Sequence, residues 1–414
     1  MAKGTGSVIG GMLLIAGSCI GAGMLGLPIV TGFAGFFPSL LMFFIAWIFM
    51  TATALLLVEV NGWFSKQVNL LSMSSSTLGK WGKNLCWVMY LFLFYSLLVA
   101  YISGSGSLVS TILQNAFSFK LPIWIASLFF VIFFGWVIYL GTRRVDHVNR
   151  GLMFGKIGFF ILLIIIGIQF LRPGLLLRTE PKYVFSALPL LVIAFGFHNM
   201  IPSLTAYLNG DLKKVRITII GGSLMAFVIY LIWEILVLGI VPLRGPNGLI
   251  ASLMSDQEAS QAIAAIVRSP AISVFSQGLA FFAILTSFLA QALSLVHFLA
   301  DGFKINYKKQ ESIGLCILAL MPPLVLSLIY PQLFFKALNF AGGICAVVLF
   351  GIMPALMVWM GRYRKQTNSG YQVPGGKATL IGVLIVAVFI FILQFSSMIG
   401  FHFVPDPHSL PRGM

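Results

Sequence analysis

GSCIGAGMLGLP, residues 17–28, interrupts an apolar run long enough to cross a bilayer. Four glycines and a proline fall within twelve positions, and these are the two poorest residue types for a helix interior. The surrounding segment, 8–30, stays hydrophobic, so it reads as a membrane helix that breaks part-way. At that depth an unwound backbone is tolerated only where protein buries it or where it lines a polar cavity. The break therefore predicts a site.

Composition sets the class. Of 414 residues, 59% are hydrophobic and 9% charged, with a mean hydropathy of +1.01. That apolar surface cannot be hidden inside a water-soluble globule. Charges cluster, and the stretches between them have the length a spanning helix needs. Eleven spans are expected, at 8–30, 35–60, 85–110, 121–141, 151–171, 184–207, 217–241, 272–300, 312–330, 335–360 and 378–402. The runs are continuously apolar rather than alternating, which argues against barrel strands. Residues 242–271 have room for a short surface helix.

The net charge of +16 is a matter of distribution. With the N-terminus cytoplasmic, the inner segments carry about twice as many Lys and Arg as the outer ones, as inner loops should. That orientation puts the C-terminus outside and makes the basicity a topological signal, with no nucleic-acid partner implied. The first apolar stretch lacks a signal-peptide cleavage site and is expected to remain as a span. Cys19, Cys86, Cys316 and Cys345 show no metal-ligand spacing and read as core thiols.

A second interruption, AFGFHNMIPSL (194–204), places Gly196, His198, Asn199 and Pro202 in the sixth span, five spans after the first. Because five is odd, the second half must enter from the opposite side. Paired breaks in this relation are the mark of an inverted repeat whose discontinuous helices meet at the midplane. Where the first span resumes near Gly23, unpaired amides suit a carboxylate, and the carbonyls ending the first half-helices suit an ammonium or a cation. Glycines at 21 and 23 allow close approach to the backbone. A zwitterion fits both ends. The plainer alternative is helix packing through small residues, which leaves Pro28 and the matching second break unexplained.

IGAGMLGLP (20–28), TALLLVEV (53–60), AYISGSG (100–106), FGFHNMIPS (195–203) and TSFLAQALSLVHFLAD (286–301) resemble, in order and across nearly the whole chain, the tryptophan/tyrosine permeases. These belong to the bacterial hydroxy and aromatic amino acid permease family, within the amino acid, polyamine and organocation superfamily. The resemblance implies an all-α polytopic membrane protein of 11 transmembrane helices. Its LeuT-type 5+5 inverted repeat, with helices 1 and 6 broken, would occupy 1–171 and 184–360 of a single transporter domain, with an extra helix at 378–402. It further implies proton-driven uptake of an aromatic amino acid across the inner membrane, without an enzymatic step, a cofactor or an obligate protein partner. A serine/threonine-type permease of the same family is an alternative.

Carried over to this chain, the resemblance places the substrate backbone against Ser18, Gly21, Ala22 and Gly23 and against Phe195, Gly196 and Phe197. Tyr101 would close over it, with Phe288 and Gln291 in the side-chain pocket. Each has a packing alternative, since phenylalanines in a membrane chain more often face lipid or core. His198 and Asn199 could touch substrate or satisfy carbonyls freed by the break.

The energy source should show as an ionisable group or an ion cage. Lys156, in span five, is costly at that depth unless paired or neutralised. Its resemblance to a fifth-helix lysine of proton-coupled relatives makes it the candidate proton carrier; the alternative is a stem snorkelling to the nearby interface. Glu234 in span seven could also carry a proton or be a structural carboxyl. Thr286 and Ser287 resemble the pair that holds sodium in sodium-driven relatives, so sodium is the alternative coupling ion. VDHVNR (145–150) and YLNGDLKKVR (207–216) read as inner loops, where Asp146 with Arg150, or Asp301, could pair across an inner gate. Glu59 reads as a helix-end residue. A membrane enzyme lacks a catalytic constellation here; a channel or receptor shares the composition but not the logic of paired broken helices.

Overall fold

The computed structural model describes residues 6–64, 68–119, 121–305, 312–367 and 370–401. The C-terminal tail, expected outside, lies beyond the described residues. Every regular element among those described is helical. The first span is α1 (Val8–Cys19) and α2 (Ala22–Thr31), bent by 59° at the break. There follow α3 (Phe36–Asn61), α4 (Leu70–Phe117), α5 (Ile123–Tyr139) and α6 (Thr142–Gly167). A short turn, α7 (Pro173–Leu176), leads through a 3₁₀ segment into α8 (Leu188–Ala194) and α9 (Ile201–Tyr207), the halves of the sixth span. Then come α10 (Leu212–Ile240), the surface pair α11 (Leu249–Met254) and α12 (Ala259–Val267), α13 (Pro270–Phe303) and α14 (Ile313–Ile329). The tenth segment is α15 (Phe334–Phe340), a wide π-helical stretch Ala341–Ile352, and α16 (Met353–Tyr363); α17 (Gly376–Met398) ends the chain's helices.

Helices thus occupy all eleven expected positions. Among the described residues, eight are long and apolar enough to cross a membrane, nine counting the bent pair, and α5 and α14 are apolar helices of 17 residues. Two boundaries differ instructively. α4 starts at Leu70 because Asn69 accepts the Ser72 amide as its cap, and it changes direction at Gly79, which has φ +76. VDHVNR is helix rather than loop: α6 begins at Thr142, and Asp146 pairs with Arg150 one turn on, at 2.8 Å, with both side chains well exposed. That pair stays within one helix and bridges no gate. Asp211 likewise starts α10 by accepting the Lys213 and Lys214 amides, so part of YLNGDLKKVR is helical too. Those two amide bonds, with Lys214 nearby, hold the Asp211 carboxyl below its ordinary range.

Prolines inside helices leave carbonyls that other helices satisfy. Pro28 cannot donate to Met24 O, and the Trp233 indole of α10 donates there instead, at 3.0 Å. Pro322 leaves Leu318 O, which takes the Tyr95 hydroxyl of α4 at 2.8 Å. Glu59 is no mere helix-end residue. It is fully buried and accepts Arg362 of α16 on both oxygens, at 2.6 and 2.5 Å, together with the Val373 amide at 2.8 Å. Such a pair persists in the interior because its lone pairs are filled.

Candidate functional site

Both breaks release backbone groups, and the first is the more exposed to a ligand. Regular winding would pair Cys19 O and Ile20 O with Gly23 and Met24; instead Met24 N bonds Gly21 O at 3.1 Å. Ile20 O receives the Lys156 ammonium at 2.5 Å, and Lys156 is 2% exposed. Its stem therefore reaches the break rather than snorkelling to the interface. On the other side of the break, the Ala22 amide donates to Ser287 Oγ at 3.2 Å, and the buried Tyr101 lines the same cavity as Ser287. A Cβ on Gly21 would lie 2.6 Å from Ser287 Oγ, so glycine is required for this approach.

A cavity of about 510 Å³ lies against this break, within the usual size of a small-molecule site. Ser18, Gly21, Ala22, Gly23, Tyr101, Gly196, Asn199 and Gln291 line it, as do Lys156, Thr286 and Ser287. Tyr90, Phe94, Leu97 and Phe350 add an aromatic and aliphatic wall. It runs past Met153 to Asn149, Arg150 and Asp146 at the start of α6, and along Leu13 and Gly17 of α1, so it opens toward the end that carries the N-terminus. A recess of about 790 Å³ adjoins it there, sharing Tyr90, Phe94 and Asn199 and bordered by Asp301. The opposite end is sealed: α2 is buried almost throughout, with Gly26 against Phe335, Phe334 and Leu190, and Gly32 against Leu249 of the surface pair.

Five sequence candidates stand outside this lining, four of them rings expected near the substrate and the fifth Glu234. Phe195 is fully buried, edge-on to Tyr230 at 5.1 Å, and Phe288 is fully buried against Phe130 at 5.0 Å. Phe197 stacks on His198 at 5.3 Å. His198 is sandwiched against Phe350 at 4.8 Å and borders the adjoining recess. Thr53 donates its proton to Met50 O, so its oxygen accepts from His198 Nε2 at 2.9 Å, which leaves Nδ1 as a bare acceptor. These rings close the second break by packing. Glu234 is also remote from the cavity: Thr31, near the far end of α2, lies 2.9 and 3.1 Å from its two oxygens. Thr286 Oγ1 is engaged with Ala283 O of its own helix at 3.1 Å.

Sequence reasoning passed over Tyr230 and Trp233, although YLIWE (230–234) puts three polar-tipped side chains in one span. Tyrosine and tryptophan buried in lipid-depth protein need partners for their polar atoms, and that was the available signal. Tyr230 Oη lies 2.6 Å from Cys19 O and 2.7 Å from Ala194 O, one carbonyl from each break.

These features define a class: a helical membrane protein in which two interrupted helices, held together by α10, bound a ligand-sized cavity open to one side. Residues 4–394 match the model of the tryptophan/tyrosine permease family. The chain belongs to that family. It is 32% identical to the tyrosine-specific transport system 1 of Haemophilus influenzae, over 95% of this chain and 98% of the relative. It is 29% identical to the tryptophan-specific transport protein of the same organism, with 95% and 97% covered. For the low affinity tryptophan permease of Escherichia coli K12 the figures are 28%, 95% and 96%. These relatives are transport proteins, not enzymes. Among solved structures the chain resembles MhsT, crystallised in complex with L-phenylalanine, with a TM-score of 0.63, 14% identity, and 96% of this chain and 100% of that one covered. That likeness supports the LeuT-type fold.

Proposed function

We propose that this chain carries an aromatic amino acid, tyrosine or tryptophan, into the bacterial cell across the inner membrane with a co-transported proton, by exposing the cavity between its broken helices to each side in turn. The observation that carries the proposal is the pairing, in one cavity, of a bare helix start with an aromatic wall. Of the amides in the first turn of α2, Ala22 is taken by Ser287 and Met24 by Gly21 O, which leaves Gly23 to receive the substrate carboxylate at the positive end of the helix. The ring then lies toward Tyr90, Phe94, Leu97 and Phe350, with the Asn199 and Gln291 amides available to its polar atom. The relatives named for tyrosine and tryptophan support this assignment.

Lys156 is the proton carrier in this reading. Its ammonium caps Ile20 O, and loss of the proton would turn that charge-assisted bond into a weaker neutral one and loosen the hinge of the first span. Sodium is disfavoured because the Lys156 ammonium already meets Ile20 O, a freed carbonyl that a bound cation would otherwise take. With the N-terminus cytoplasmic, as the loop charges argue, the open cavity corresponds to the inward-facing state.

The test uses proteoliposomes loaded to impose pH and sodium gradients separately, with labelled tyrosine and tryptophan. A pH gradient alone should drive uphill uptake. Lys156→Met should lower that uptake by about tenfold or more, the loss of one charge-assisted hydrogen bond, while leaving exchange of internal for external substrate. Uptake that requires sodium, or pH-driven uptake unchanged in the variant, would refute the coupling; failure of both amino acids to compete would refute the substrate.

A further inference from the structure

Ile20 O, Cys19 O and Ala194 O are among the carbonyls freed where the two helices break, and of these three only Ile20 O is met by a cation of the protein. The other two, Cys19 O and Ala194 O, belong to opposite halves of the chain and converge on a single atom, the Tyr230 hydroxyl oxygen. Each lies at the C-terminal end of a half-helix, where the peptide dipoles leave partial negative charge. Two such ends brought together repel unless something positive lies between them. Helix ends of this kind are a setting in which membrane transporters coordinate a monovalent cation.

Here the positive element is one phenol proton. The Tyr230 ring is fully buried, with Phe195 edge-on at 5.1 Å and Phe43 at 6.3 Å, so packing fixes where its hydroxyl stands. A hydroxyl has one proton, and at 2.6 and 2.7 Å it is shared between the two carbonyls. Trp233, three residues on, pins Met24 O, and Glu234 meets Thr31, so one face of α10 grips the first span on both sides of its break.

We infer that the Tyr230 hydroxyl takes the place of a bound inorganic cation between the two broken helices, and so is the positioning residue that lets the site assemble without sodium. The inference rests on the reading of the cavity as the amino acid site. It gives Tyr230 a role distinct from that of Lys156: the lysine changes its proton in each cycle, and the phenol keeps its own. Removing the hydroxyl leaves Cys19 O and Ala194 O facing each other with no donor between them, and a monovalent cation is the group that could replace the lost attraction.

The experiment compares the purified wild type with Tyr230→Phe, which keeps the ring and its packing. Binding of tyrosine and tryptophan and thermal unfolding are measured in sodium chloride and in choline chloride. The wild type should bind equally in both salts and show no sodium-specific rise in unfolding temperature. In choline the variant should bind about tenfold more weakly, the worth of one lost buried hydrogen bond, and sodium should restore part of that loss. A sodium-dependent wild type, a variant that binds like the wild type, or a loss that no cation relieves would each overturn the inference. Should the variant fail to fold, the wild-type comparison decides alone. If the wild type binds neither amino acid in either salt, it is the substrate reading that fails, and the two failures are thereby distinct.

Discussion

The two interrupted helices solve the same problem in opposite ways. At the first break the chain bends by 59°, and its freed groups are met by side chains from other helices: Lys156, Tyr230 and Ser287. At the second, the chain turns back on itself. Gly196 N bonds Ile193 O at 3.0 Å, Phe197 N bonds Phe195 O at 3.1 Å, and Met200 N bonds Phe197 O at 3.0 Å. Rings then bury the turn, Phe195 on Tyr230 and the His198 imidazole on Phe350. The difference teaches that an interrupted helix is not by itself a binding site. What marks the first as the candidate site is that its freed groups face the cavity and depend on side chains from other helices; the second break lends the cavity Gly196 and Asn199, while its rings pack as a wall behind them.

If that contrast is right, the largest effect on stability should come from the second break. Phe195→Ala should cost about 3–5 kcal/mol, as emptying a phenylalanine site in a packed core usually does, read as a lower unfolding temperature. Substrate affinity in the surviving folded fraction should change little. An unfolding temperature unchanged by the substitution would show the second break to be as open as the first.

The next effect belongs to the first break. A Cβ on Gly23 would meet Ala194 at 3.7 and 3.9 Å, which is ordinary contact, so Gly23→Ala should fold normally. The added methyl would stand where a carboxylate approaches the amide. Binding of tyrosine and tryptophan should fall by about a hundredfold, the upper range for one hydrogen bond to a charged group, with the unfolding temperature preserved. Equilibrium binding on the purified variant checks this, and wild-type affinity would move the ligand away from the start of α2.

The smallest effect concerns the seal over α2. Glu258 caps α12 through Ser260, and burial pushes its carboxyl up from an ordinary 4.5 to about 7 against the bonds from Ser260 and Gln261. The folded state thus holds the proton more tightly than the unfolded chain. Its stabilising contribution is full below pH 4.5 and is lost as pH rises through about 7. The unfolding temperature of the wild type should fall across that window, and Glu258→Gln should flatten the slope. A slope identical in the two proteins would place the titration elsewhere.

Glycine and proline placement made the first break legible in the chain itself, because packing through small residues leaves Pro28 in mid-span unexplained. The same logic found the second, and with it Gly21, Gly23, Gly196 and Asn199, while the family resemblance added Ser18, Ala22, Tyr101 and Gln291; all eight line the cavity. It failed for Phe195, Phe197 and Phe288, whose resemblance to site positions said nothing about which way a ring turns. It also separated Lys156 from its snorkelling alternative only when the fold supplied Ile20 O as a partner.

Composition, charge spacing and backbone-breaking residues act locally, through hydropathy and helix propensity, so the chain alone determined the membrane class, the helical segments and the places where two of them come apart. Which freed carbonyl meets which donor is a matter of contacts between residues far apart in the chain, 211 positions for Tyr230 and Cys19. Helix rotation decides those contacts, and rotation is set by packing among many apolar faces that look alike in sequence. Only the tertiary structure could therefore say that Tyr230 lies between the two breaks, that Glu234 serves α2 rather than the cavity, and that the site opens on one side while α11 and α12 cover the other.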